Sequence, residues 1–146
     1  MIVKRLGIGI CWALTFGSAS AQAPSEVATI DATLKTCLAQ SGGVTPAIDK
    51  CTEQARNSAD LILNRLYGGW IEHLKHPAKD EAADSAEILK RLIASERAWI
   101  TYRDTNCNLE SISMLGGTGE TTVYGHCLYA ETRQRVLDLQ RIRDSR

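Results

Sequence analysis

The stretch that decides the fold runs from Ser95 to Cys127 and reads SERAWITYRDTNCNLESISMLGGTGETTVYGHC. Its first part predicts the last turns of a long helix that ends near Asn106. Residues 108–122 have no helical period and contain three glycines, which favour turns over helix. A further helix is predicted to begin at Val123 or Tyr124. The stretch therefore predicts two helices joined by a long loop, with a cysteine at each end of that loop.

The first 23 residues have the layout of a secretory signal peptide. Two basic residues precede an apolar run from Leu6 to Phe16, which is too short to span a bilayer, and small residues follow it. We expect cleavage after about Ala21 or Ala23 and a single domain over residues 24–146. A periplasmic or secreted location follows, without stable membrane insertion after cleavage.

Export changes the meaning of the cysteines. Cys11 lies in the predicted signal peptide, and the remaining even number predicts disulfides in an oxidising compartment. Four cysteines allow three pairings, which the sequence does not resolve. We favour the local pairing, Cys37 with Cys51 and Cys107 with Cys127, because each pair flanks one predicted turn. A four-thiolate zinc site is the competing interpretation, but neither pair has C-x-x-C spacing, so no metal or other cofactor is expected.

Apolar residues recur at steps of three and four along most of the chain, which predicts an all-α bundle of about four helices arranged as two helical hairpins. The first helix is predicted over residues 26–40. The second runs from Thr45 to about Leu74 and passes through Gly68 and Gly69 as one helix. The third begins between Pro77 and Asp80, and its inner face consists of Leu89, Leu92, Ile93, Trp99 and Ile100.

The charge balance excludes one class of partner. Removal of Lys4 and Arg5 from the 17 basic residues leaves 15 against 17 acidic ones, a net charge of −2. This is not the pattern of a nucleic-acid-binding protein. Five arginines between residues 133 and 146 are interrupted by aspartates, so we assign them to a solvated helix surface.

No catalytic motif is present in the sequence. It contains no G-x-S-x-G elbow and no H-E-x-x-H zinc helix, and the glycines of residues 116–119 lack the lysine of a phosphate-binding loop. His73 and His76 are one turn apart but have no third ligand nearby, and we expect them to be exposed. His126 is next to Cys127, but a cysteine in a disulfide is not a nucleophile. The chain is therefore predicted not to be an enzyme.

Charged residues on the predicted inner faces have two interpretations. Glu96 and Arg103 fall on the apolar stripe of the third helix and could form a buried site. We favour ion pairs in which Arg103 and Arg135 bind Glu96 and Glu131, because unpaired buried charge is costly. Asn64 lies beside apolar neighbours and is predicted to be a hydrogen-bonded core amide.

The segment between Cys107 and Cys127 is the candidate partner-binding loop. A connection this long in a small domain is uncommon unless it is functional or disordered. A disulfide at its base would reduce the entropy that the loop loses on binding. The alternative is that the loop only joins two helices. The candidate binding residues are Glu110, Ser111, Ser113, Gly116, Gly117 and Glu120.

Residues 95–107 resemble the signature of the LprI-type lysozyme-inhibitor N-terminal domain family, small exported helical proteins of bacteria. The resemblance extends over essentially the mature chain, and its motif residues are Asn64, Tyr67, Glu96, Trp99, Tyr102, Arg103, Thr132 and Arg135. It implies a helical domain with local disulfide pairing and suggests lysozyme inhibition. Two positions depart from the family pattern: Glu96 stands where glutamine is frequent, and Gly68-Gly69 follows the tyrosine.

These observations together predict an exported, non-enzymatic binding protein whose partner is another protein. The leading hypothesis is an inhibitor that occupies the cleft of a basic lysozyme, with Glu110, Ser111 and Ser113 as candidate contacts. The alternative is an immunity or envelope interaction protein that binds another wall-active enzyme or envelope component.

Overall fold

The structure is a computed structural model that describes residues 25–79 and 81–145. The predicted signal peptide and its cleavage sites lie outside the described residues. The elements are α1 (Glu26–Gln40), α2 (Thr45–Lys75), α3 (Ala82–Ser111), a 3₁₀ turn (Ile112–Met114) and α4 (Glu120–Asp144). No strand occurs in the described part of the chain, and the predicted all-α class with four helices is confirmed. None of the helices in these ranges is long and apolar enough to cross a bilayer.

The predicted boundaries of the α3–α4 connection were wrong. Helix α3 continues five residues past Asn106 and α4 begins at Glu120, so only residues 115–119 of the predicted loop lie outside a helix or the 3₁₀ turn. The amide of Asn108 donates to the Asp104 carbonyl, and the hydroxyl of Ser111 donates to the Asn108 carbonyl. Polar side chains that suggested a loop thus bond to helix carbonyls within one turn. The chain reverses only near Gly116, whose φ is +73°.

Helix α2 is continuous through Gly68 and Gly69, as predicted. A Cβ added at either glycine would meet no atom within 4 Å, so packing does not require glycine there. Helix α3 begins at Ala82, slightly later than predicted.

The helices run alternately up and down, so that α2 and α4 are parallel and share the largest interface. At one end the hydroxyl of Thr122 on α4 donates to Asp49 on α2 at 2.5 Å. Toward the other end, Trp70 of α2 and Leu139 of α4 share a buried cluster. Each of α1 and α3 pairs with α2 or α4 as an antiparallel neighbour, which gives the two predicted hairpins.

The core is most extensive between α2, α3 and α4. Its main cluster consists of Val27, Ile62, Leu63, Trp70, Leu74, Leu92, Val136 and Leu139. Of the residues assigned to the inner face of α3, Leu92 is buried, and Leu89, Ile93 and Trp99 are half-buried. Ile100 is 42% exposed, so its assignment was wrong. One residue corresponds to about 100° of rotation on a helix, which turns Ile100 away from the core when Trp99 faces it.

Both predicted disulfides are present. Cys37 bonds to Cys51 with a Cα–Cα distance of 5.7 Å, and Cys107 bonds to Cys127 at 5.4 Å. The first bond holds the α1–α2 hairpin and the second holds the α3–α4 hairpin. The Thr122–Asp49 hydrogen bond places both at the same end of the bundle, and we call this region, residues 37–51 and 107–127, the disulfide end.

A polar cluster attaches α1 to α4. The carboxylate of Asp31 accepts hydrogen bonds from the hydroxyl of Tyr129 at 2.6 Å and from the guanidinium of Arg133 at 2.7–2.9 Å. The bonds from Arg133 hold the pKa of Asp31 below its ordinary value. Burial, followed by the bond to Asp31, raises the pKa of Tyr129. Asp31 is therefore stabilised in its charged form and Tyr129 in its neutral form.

Replacing both Cys107 and Cys127 by serine should lower the free energy of unfolding by about 3 kcal/mol, because the unfolded chain loses a cross-link. Denaturant unfolding measures the change, and the Cys37/Cys51 double variant should give a similar loss. Thermal melting of the wild type with and without reductant provides the control. Coincident melting curves under the two conditions would contradict a structural role for the bonds.

Asp31→Asn should lower the free energy of unfolding at pH 7 by about 1 kcal/mol. The effect is small because the Asp31–Arg133 ion pair is partly exposed and solvent screens it. A depressed folded-state pKa stabilises the protein above the unfolded-state pKa of about 4, and that contribution is lost as the pH falls through the folded value. The difference between variant and wild type should therefore shrink below about pH 4. Urea unfolding at several pH values measures it, with the exposed Asp144→Asn as control; an equal difference at low and neutral pH would refute the assignment.

Candidate functional site

The first candidate region lies inside the bundle, where α4 contacts α3. The guanidinium of Arg135 donates through Nε to Oε2 of Glu96 at 2.9 Å and through Nη2 to the Ser95 hydroxyl at 2.9 Å. The side chains of Arg135 and Glu96 are only 10% and 9% exposed. This is the predicted ion pair, and it is buried.

Trp99 lies beside two guanidinium groups. The Cζ atoms of Arg103 and Arg135 are 5.0 and 5.6 Å from the centre of its ring, within the range of cation–π attraction. Arg103 does not bind Glu96 or Glu131, so that part of the prediction was wrong. It lies two turns beyond Glu96 on α3 and instead contacts Asp104 at 2.9 Å and Asp60 of α2 at 3.9 Å.

Glu131 takes different partners. It accepts weak hydrogen bonds from the hydroxyl of Tyr102 at 3.4 Å and from the amide of Asn106 at 3.3 Å. The charge of Glu131 is the main cause that raises the pKa of Tyr102. Tyr102, which is 53% exposed, therefore lies on the surface of the α3–α4 contact.

The remaining motif residues complete this interior region. Tyr67 of α2 is half-buried, and burial, followed by the charge of Glu96, raises its pKa. Thr132 is fully buried, and its hydroxyl has no hydrogen-bond partner within residues 25–79 and 81–145. Asn64 is exposed, so the predicted core amide was wrong; Leu63 faces the core, and the next residue points outward. Among the motif residues, Glu96, Thr132 and Arg135 are therefore buried between the helices, whereas Asn64 and Tyr102 are exposed.

The second candidate region is the end of the α3–α4 hairpin. Four apolar side chains there are between 51% and 72% exposed, and we call them the apolar tip: Leu109, Ile112, Met114 and Leu115. Exposed apolar residues clustered in this way are typical of interaction sites. These four residues were not among the predicted binding residues, because α3 was expected to end near Asn106 and its continuation through Leu109 was not predicted.

The predicted binding residues of this segment have different environments. Glu110 and Ser113 are exposed. Ser111 is only 5% exposed and donates to the Asn108 carbonyl, so it cannot present its hydroxyl to a partner. The carboxylate of Glu120 accepts the Gly116 amide at 2.9 Å.

Glycines make the tight turn behind the tip possible. Gly116 has a positive φ, and the Gly117 amide donates to the Met114 carbonyl at 2.8 Å. A Cβ on Gly117 would lie 3.1 Å from that carbonyl oxygen. Glu120, Gly116 and Gly117 therefore shape the turn rather than offer free polar groups.

The electrostatic character of the tip is one-sided. Residues 104–132 contain no lysine and no arginine, whereas they include the carboxylates Asp104, Glu110, Glu120 and Glu131. The arginines of α4 follow this range; Arg133 binds Asp31 and Arg135 is buried. The prediction that all five arginines of this segment are solvated was therefore wrong for these two. The charge asymmetry is visible in the sequence and was missed because only the net charge was considered.

Two cavities of interest lie at opposite ends of the described bundle. One, of about 890 Å³, lies at the end opposite the disulfides, and its lining includes the Glu26–Arg65 ion pair and the contact between Nε2 of His73 and Glu81 at 3.0 Å. The other, of about 530 Å³, lies between the two hairpins at the disulfide end. We call it the disulfide-end groove, and it is lined by Leu38, Ile48, Thr52, Glu110, Ser113, Thr122, Val123, His126 and Cys127.

Neither the histidines nor the cysteines form a metal centre in the described ranges. A carboxylate oxygen of Glu110 is within 4.8 Å of the sulfurs of Cys107 and Cys127, but sulfurs in a disulfide are not thiolate ligands. His73 and His76 are exposed, as predicted, and His126 is exposed too.

Comparison with known proteins identifies relatives of the chain. The family model described as Lysozyme inhibitor LprI matches residues 37–139. The chain is 33% identical over 98 residues to the uncharacterized protein R02472 of Rhizobium meliloti (strain 1021), covering 65% of this chain and 70% of the relative. It is 29% identical over 103 residues to the uncharacterized protein YecT of Escherichia coli (strain K12), covering 67% and 64%. No solved structure matches the chain.

Glu96→Leu should lower the free energy of unfolding by about 3–5 kcal/mol, because it leaves the Arg135 guanidinium buried without its carboxylate. The double variant Glu96→Leu/Arg135→Met should recover most of this loss, since no charge then remains buried. Denaturant unfolding of the wild type, both single variants and the double variant gives the coupling energy. Additive effects of the two substitutions would contradict a direct interaction.

Proposed function

Because the chain belongs to the family of lysozyme inhibitor LprI, we propose that it is an exported, non-enzymatic protein that inhibits a lysozyme by occupying its substrate cleft. The observation that carries this proposal is the apolar tip at the end of the α3–α4 hairpin. The tip lies beyond the Cys107–Cys127 bond, where the last turn of α3 and the 3₁₀ turn form the end of the hairpin.

The exposure of the tip supports a protein partner. Interface energy is commonly concentrated in a few central apolar side chains that a polar rim surrounds. Leu115, at 72% exposed, and Leu109, at 66% exposed, would lose most of their contact with water in such an interface. Glu110 and Ser113 lie beside them as polar rim groups.

The rigidity of the tip supports useful affinity. Most of the segment between the bonded cysteines is helix or 3₁₀ turn, and the Glu120–Gly116 hydrogen bond fixes the remaining turn. A surface that is ordered before binding loses little conformational entropy in the complex. Both disulfides also fit a location outside the cytoplasm.

The charge of the tip supports a basic enzyme as the partner. A surface with carboxylates and no lysine or arginine attracts a positively charged protein and accelerates encounter. The alternative partner is another wall-active enzyme or an envelope component, which would bind the same surface.

Purified mature protein should inhibit a basic lysozyme in a cell-wall lysis assay, and Leu115→Glu should weaken inhibition at least tenfold, because a charge replaces a central apolar contact. Leu61→Glu is the matched control: Leu61 is 70% exposed on α2, away from the tip, and its replacement should leave inhibition unchanged. Circular dichroism checks that both variants are folded.

Absence of inhibition by the wild type at micromolar excess would refute the lysozyme assignment. In that case, capture of one envelope protein by the wild type but not by Leu115→Glu would support the alternative partner. Equal inhibition by both leucine variants would leave the tip without a role.

A further inference from the structure

We propose that the disulfide-end groove binds a long cationic side chain, lysine or arginine, from the partner protein. The inference rests on the proposed function only for the identity of the partner. The binding of a cationic side chain is inferred from two features of the groove, which are its apolar lining and the carboxylate of Glu110.

The groove is formed jointly by the two hairpins. Leu38 and Ile48 belong to the α1–α2 hairpin, and Val123 belongs to α4 of the second hairpin. These half-buried side chains line one cavity, and the Thr122–Asp49 hydrogen bond fixes the two hairpins against each other there. The methylene stem of lysine or arginine packs well on such an apolar surface while its charged end reaches polar groups.

Glu110 supplies the negative end. It is exposed, it lines the groove, and it makes no ion pair within residues 25–79 and 81–145. The other carboxylates of this end, Asp49 and Glu120, do not line the groove; Asp49 accepts the Thr122 hydroxyl and Glu120 accepts the Gly116 amide. No lysine or arginine lines the groove. Ser113 and His126 add polar atoms that can accept hydrogen bonds from a bound cation.

The larger cavity at the opposite end does not offer the same chemistry. Two guanidinium groups, Arg65 and Arg143, line it beside the carboxylates Glu26, Glu81 and Asp84. A bound cation would therefore meet like charges there, whereas the disulfide-end groove has none in its lining. The disulfide-end groove is also next to the apolar tip, because Ser113 belongs to the 3₁₀ turn that carries Ile112 and Met114. A partner that covers the tip can therefore place one basic side chain in the groove.

Ser113→Lys should block the groove from within, because the new ammonium can pair with Glu110 and its stem can cover the apolar floor. We expect it to weaken binding to a basic lysozyme about five- to tenfold, measured by calorimetry, as does Glu110→Gln. The matched controls are Ser58→Lys and Glu53→Gln, two exposed positions on α2 outside the groove. Both serine hydroxyls donate to a helix carbonyl nearby, so the two lysine variants perturb similar sites.

A second measurement does not depend on lysozyme. In NMR titrations, excess N-acetyl-lysine methylamide should shift the methyl signals of Leu38, Ile48 and Val123 in the wild type but not in Glu110→Gln. The uncharged Nε-acetylated analogue should shift them less. Absence of the shifts, or equal shifts in both proteins, would overturn the groove inference even if lysozyme is inhibited. Shifts without lysozyme inhibition would retain the groove and refute the proposed function.

Discussion

The Cys107–Cys127 bond joins α3 and α4 before α3 ends and after α4 begins, and the geometry of the disulfide end depends on this position. Because both helices extend beyond the bond, the connection is a pair of helix ends closed by a short turn. A free segment of the same length would sample many conformations, whereas most of its backbone groups here are hydrogen-bonded within helix or turn. The apolar side chains of the tip are therefore held outward although they gain nothing from the core.

Charge is distributed between the interior and the two ends in a consistent way. Arg135 and Glu96 compensate each other inside the bundle, and Arg133 is compensated by Asp31 at the α1–α4 contact. Residues 104–132, which include the apolar tip, contain four carboxylates and no lysine or arginine. This segment therefore has a negative formal charge, which is the property that long-range attraction of a basic protein requires.

The sequence predicted the number of helices, their approximate limits, the pairing of the cysteines and the Glu96–Arg135 contact, because apolar periodicity and the cost of burying charge are strong constraints. It did not predict the end of α3. Asn108 and Ser111 bond to helix carbonyls here, yet the same residue types favour turns elsewhere, so composition did not distinguish the two. The errors at Asn64 and Ile100 have one cause: on a helix, a shift of one position rotates a side chain by about 100°.

Because the four helices alternate in direction, α1 begins and α4 ends at the same end of the bundle. Glu26, at the beginning of α1, and Arg143, near the end of α4, line the same cavity, opposite the disulfide end. An affinity tag, a fluorophore or a sensor-chip linkage attached near residue 25 or residue 145 would therefore stand a full helix length from the tip. Surface-immobilised protein would thus keep its disulfide end directed into the solution.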